Sequence, residues 1–170
     1  MNGTSVLASS LGFAHQLTSA VVGDCSPETL ARRVDGTIES AGSILAHAVI
    51  SEDFFIQSMM QGEPLLYKSG GFASSLNLGD IERPVQTPEW AATIKLDMST
   101  FTPYMQAVFA ATDAFVAGLS ETDLDREVQG PTGKQPIGAF LAGIGVFHLS
   151  EHLCEIAAIK GVQGLKGLPF

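Results

Sequence analysis

The stretch Ile137–Lys160, IGAFLAGIGVFHLSEHLCEIAAIK, decides the fold. Its apolar residues occur around nearly the whole circumference, and no proline interrupts it. A run of this length without strict alternation reads as a long helix. Ile137, Leu141, Ile144, His148, His152, Glu155 and Ile159 share one face of it. The almost uncharged part, Pro136 to Leu149, is too short to span a bilayer. Ser150, Glu151 and His152 follow at once, so the helix is expected in a soluble bundle rather than in a membrane.

Three further helical stretches supply its partners. The first runs from about Thr4 to Val22, with Leu7, Leu11, His15, Thr18 and Val22 on one stripe. Gly23, Asp24 and Ser26-Pro27 break it. The second begins near Asp35-Gly36-Thr37, with Thr37 or Ser40 as N-cap. It passes through Ile44, His47, Ser51, Phe54 and Phe55 to Met60, where Gly62 and Pro64 close it. The third runs from about Ser99 to Leu119, with Tyr104, Val108, Ala111 and Phe115 on one side and Pro103 expected in its first turn. Between Gly62 and Met98 the chain is too long for a bare loop. Short helices are expected there at Phe72 to Leu78 and after Thr87-Pro88, while Ser120 to Gly133 reads as a polar connector. The fold class is all-α: a four-helix bundle with a long crossover between its second and third helices. Residues 1–170 form one domain on this reading, since 170 residues suffice for one core.

Composition narrows the function. Nine Lys+Arg against eighteen Asp+Glu leave a net charge of −9, a field that repels phosphate backbones, so no nucleic-acid partner is expected. Two cysteines, Cys25 and Cys154, make no disulfide framework, and no Lys or Arg precedes Arg32 as a signal peptide would require. A cytoplasmic protein is expected. Helix 4, with Phe140, Phe147, Leu149, Leu153 and Ile156, presents more apolar surface than one bundle covers, which predicts a homodimer. The alternative is that the crossover and the tail ending at Phe170 shield it.

Histidines carry the chemistry. His148 and His152 stand one turn apart on an inward face, a spacing that can put two nitrogens on one divalent metal. His47 is inward-facing on the second helix, and three such imidazoles can form a site with an open position. The plainer alternative is three buried imidazoles, each satisfied by its own hydrogen bond.

The segment Ser40-Ala-Gly-Ser-Ile-Leu-Ala-His47, followed by Ala-Val-Ile-Ser-Glu52, resembles the second-helix motif of DinB-like proteins. Phe147-His148-Leu-Ser-Glu151-His152-Leu-Cys-Glu155-Ile and the exit Lys160-Gly-Val-Gln-Gly164 are similar to their fourth helix. Tyr104-Met-Gln-Ala-Val108 through Thr112-Asp-Ala-Phe115 is similar to their third. The resemblance covers nearly the whole chain. It implies a divalent metal, zinc or nickel, on His47, His148 and His152. It also implies kinship with metal-dependent enzymes that transfer or activate low-molecular-weight thiols, as S-transferases or isomerases, with a small thiol as partner. A bundle that binds metal without catalysis, in a stress or interaction role, is the alternative.

Around these ligands, His15 is a candidate fourth ligand, with a hydrogen-bonded histidine as the plainer role. Glu155 is a candidate to orient a ligand ring or touch substrate. Tyr104 is a candidate proton donor, against an amphipathic tyrosine at a helix start. Cys154 lies about 240° around the helix from His148 and should not reach a metal. Gly138, Ala142 and Gly145 form a small-residue stripe suited to close packing. His148-Leu-Ser-Glu151-His152 also reads as H-x-x-E-H, a metallopeptidase pattern with Glu151 as base. That hydrolase pattern needs a further downstream carboxylate, and no Asp or Glu follows Glu155.

Overall fold

The computed structural model describes residues 2–34, 39–131 and 133–170. Four long helices form the bundle: α1 (Gly3–Val22), α3 (Ala41–Asp53), α7 (Met98–Ala117) and α9 (Leu149–Val162). α3 and α9 are each joined without a break to a π-helical stretch. Phe54–Gln61 extends α3, and Leu141–His148, preceded by the single turn α8 (Ile137–Phe140), leads into α9. The all-α class is as expected, with helix ends within a few residues of those read from periodicity.

α3 is the central helix, and every residue from Ala41 to Asp53 is buried. Its start is fixed by Ser40, whose hydroxyl accepts from the Ser43 amide (3.2 Å) while the Ser43 hydroxyl accepts from the Ser40 amide (3.0 Å). Thr37, the other candidate cap, lies outside the described residues. Gly62 ends the π-helical extension at φ 73°, a left-handed conformation that glycine reaches without a Cβ penalty. α3 packs against α9 and α7, and α1 against α7 and α9. Leu45, Val49, Ile50, Phe101, Tyr104 and Ile156 lie at the centre of the main apolar cluster.

The crossover is structured as expected, and more fully. It carries α4 (Leu66–Ser69), α5 (Ala73–Leu76) and α6 (Pro88–Thr93), the last capped by Thr87. Asp53, at the end of α3, holds α4 in place by accepting from the Leu66 and Tyr67 amides at 2.9 and 3.0 Å. Trp90 Nε1 donates to the Leu78 carbonyl at 3.0 Å.

Several expectations need correction. Ser26-Pro27 breaks α1 but also starts a short helix, α2 (Pro27–Ala31), with Ser26 as cap and Pro27 at its first position. The connector after α7 is a 3₁₀ turn (Glu121–Asp125) followed by a hairpin, β1 (Glu127–Gly130) antiparallel to β2 (Gly133–Pro136). Four-residue strands are too short to show period-two patterning. Pro103 sits in the second turn of α7, because Asp97 caps the helix and Met98 begins it. The helix from Ile137 to Val162 is a continuous 26 residues, long and apolar enough by length and composition to cross a membrane. Leu141, Leu149, Leu153 and Ile156 nevertheless bury in the bundle, and buried Lys160 bonds the Val21 carbonyl and Asp24 of the neighbouring α1 end. Of the five helix-4 residues read as surplus apolar surface, four are covered by the bundle itself. Only Phe147 stays exposed, at 66%.

Candidate metal centre

His47 comes from the middle of α3, and His148 and His152 straddle the junction between the second π-helical stretch and α9. The packing of α3 on α9 brings the three rings together. Their centroids lie 5.3 Å (His47–His148), 5.0 Å (His47–His152) and 4.5 Å (His148–His152) apart. One ring nitrogen from each lies within 4.8 Å of the others.

Hydrogen bonds select which nitrogen His47 and His152 offer. His152 Nδ1 lies 2.7 Å from Glu155 Oε2, so the ring donates there and leaves Nε2 bare. His47 Nδ1 lies 3.0 Å from the Val85 carbonyl, which accepts only, so its Nε2 is bare as well. His148 Nε2 is 3.2 Å from His152 Nε2. Two ligands on one tetrahedral ion with metal–nitrogen bonds of 2.0–2.1 Å sit about 3.3 Å apart. The residues therefore fit a divalent ion on an observation of their own: two ring nitrogens at ligand spacing, with a third within 4.8 Å of both. Charge state agrees. Burial, with His152 and His47 beside it, pushes the His148 pKa down to about 4. Burial also lowers that of His47, against the Val85 hydrogen bond that raises it. Both rings are neutral near pH 7, the state a metal requires.

A cavity of about 540 Å³ opens on this cluster. Phe54, Phe55 and Met59 of the first π-helical stretch and Ile144 of the second supply its apolar wall, and Pro84 and Pro131 its rim. His47 and His148 face it with Ser51 and Arg83. π-Helical stretches widen a helix locally and recur at functional sites, and here one lies on each helix that carries a clustered histidine. On the second, Gly145 lets α1 approach, since a Cβ there would stand 3.3 Å from Leu11 Cδ2. The small-residue stripe thus serves packing.

The other candidates fall into separate places. Glu155 reaches His152 as an orienting group. His15 does not join the cluster: its Nε2 lies 2.8 Å from Glu52 and its Nδ1 3.2 Å from Asp113, and its ring stacks on Phe109 at 4.0 Å. Tyr104 is fully buried and donates to Asp53 Oδ2 at 2.9 Å, away from the cavity. Its hydroxyl serves the anchoring of α4 rather than proton donation. Glu151, the base of the peptidase pattern, is exposed and lines no part of the cavity, and Cys154 is exposed on the far side of its helix. Sequence reading missed Arg83 and Val85, and it placed Phe54 on the inward face of the second helix without assigning it to a cavity. For Ser51 and Phe55 a signal existed, since four and eight residues from His47 keep one helical face. For Arg83 and Val85, thirty-odd residues away in the crossover, there was none.

A comparison with curated proteins finds no match. Among solved structures, a conserved protein from Enterococcus faecalis superposes with a TM-score of 0.77 over 95% of this chain and 99% of its own, at 18% identity. That likeness shows the fold. The sequence model of the DinB superfamily matches residues 10–156, a span that includes His47, His148 and His152. The chain belongs to the DinB superfamily.

Proposed function

We propose that this protein is a metal-dependent enzyme that activates or transfers a small thiol, with zinc or nickel held by His47, His148 and His152. The observation that carries this reading is the 3.2 Å approach of the His148 and His152 Nε2 atoms, with the His152 ring held by Glu155 and the His47 ring by Val85 beside them. When bound, the ion supplies a Lewis acid whose double positive charge no anionic protein ligand offsets, and so favours a thiol in its nucleophilic, ionised form. His47 and His152 present Nε2 because Val85 and Glu155 hold their other nitrogens. Ser51 Oγ, 3.5 Å from His47 Nε2, sets a hydroxyl on the cavity wall. Phe54, Phe55, Met59 and Ile144 give the cavity an apolar wall beside the histidines. Three histidines would give a bound ion one protein ligand fewer than the closed, four-coordinate structural sites have. A cytoplasmic homodimer belongs to the same proposal, its interface centred on exposed Phe13 of α1 and Phe147.

Cobalt substitution tests the catalytic reading. Adding a cellular thiol should produce a sulfur-to-metal charge-transfer band near neutral pH. An unchanged spectrum across a thiol panel leaves a metal-binding bundle without thiol chemistry.

A further inference from the structure

We infer that the cavity lined by His47 and His148 takes a small organic molecule with an apolar body and a carboxylate, and that Arg83 holds the carboxylate and selects for it. The inference rests on the proposed thiol chemistry only for the group that faces the histidines. The cavity, about 540 Å³, is the size of a small-molecule site, and its wall is almost wholly apolar. Such walls bind an aliphatic or aromatic body but cannot orient it. Orientation comes from the few polar groups that converge on the space.

Those groups are two neutral imidazoles, the Ser51 hydroxyl and one permanent charge, the Arg83 guanidinium. Arg83 has no carboxylate partner among the described residues. The adjacent Glu82 is already engaged, by Lys68, which also takes Asp80 at 2.9 Å. Its backbone is positioned as well. Two residues on, the Val85 carbonyl accepts from His47, and the Val85 side chain packs against the core. The segment that orients a metal ligand thus also carries the cation. In a chain of net charge −9, a guanidinium left unpaired at an apolar cavity matches one carboxylate, which its planar fork can hold with two parallel hydrogen bonds.

Calorimetry of the protein as purified, with ω-mercaptohexanoate against ω-mercaptohexanol, tests the proposal. The acid should bind about tenfold more tightly, and the preference should shrink as salt rises, because Arg83 is exposed. Arg83→Gln should lose most of the preference while keeping its affinity for the alcohol and its metal content. Equal binding of acid and alcohol by the unaltered protein, or a preference that survives in Arg83→Gln, overturns it. If neither thiol gives a charge-transfer band on the cobalt protein, the thiol reading fails by itself. Hexanoate against hexanol, in the same protein and the same variant, then decides the role of Arg83.

Discussion

Two of the three imidazoles at the centre, His47 and His152, are specified by what touches their far side. His152 is turned by Glu155, three residues along its own helix, so the pair is legible in the sequence: an acid at that spacing on an inward helix face is within reach of the ring. His47 is turned by a backbone carbonyl, Val85, from the crossover. No side-chain pattern encodes that partner, because any residue at position 85 offers the same oxygen. Glu155→Gln keeps the shape and removes the charge that strengthens the His152 nitrogen as a donor. Since the Glu155 side chain is 54% exposed, its loss should weaken zinc affinity by about tenfold, at the low end for such orienting groups, in competition with a chromophoric chelator. Unchanged affinity would make Glu155 a bystander.

Among the elements, the long helices were legible because their apolar periodicity persists over several turns. What was not legible is where helical geometry changes. The π-helical stretches at Phe54–Gln61 and Leu141–His148 preserve helical appearance in sequence while shifting which residues face the cavity. The short α2 and the hairpin likewise lie below the length at which periodicity speaks. His15 illustrates a residue placed correctly on an inward stripe but serving another purpose. It pairs with Glu52, which is buried on the central helix and also accepts from Thr112 Oγ1 at 2.6 Å, tying α1 and α7 to α3. Burial works to lower the His15 pKa, but the hydrogen bonds and charges of Glu52 and Asp113 outweigh it, and the net shift is upward from 6.5. A histidine raised in the folded state contributes stability fully below its unfolded value and loses it as pH rises through its folded value. His15→Ala should therefore destabilise by about 3 kcal/mol in mildly acidic buffer, because Glu52 is left buried without its cation. The difference should narrow above neutrality in urea melts, with metal content unchanged. A difference that widens with pH would contradict the pairing.

For the molecule as a whole, the bundle buries Phe140, Leu141, Leu149, Leu153 and Ile156 of its fourth helix but no residue from 142 to 148, and Gly167 in the tail closes on α9, where a Cβ would meet the Ala157 carbonyl at 2.6 Å. Exposed apolar surface remains at Phe13 (62%) and Phe147, on two helices that pack together, and also at Val6, Val162, Leu165 and the tail residue Phe170. Light scattering should give a dimer mass that falls to the monomer in Phe147→Glu, and a concentration-independent monomer for the unaltered chain would leave the shielding alternative. Metal stoichiometry is the whole-molecule quantity on which the account turns. The three histidines come from two helices packed together through the apolar core, so deleting one ring should empty the proposed site without unfolding the bundle. Elemental analysis of purified protein should find about one zinc or nickel per chain in the unaltered form. His148→Ala should hold almost none, with its helical circular dichroism intact. Full occupancy in His148→Ala would contradict the three-histidine centre.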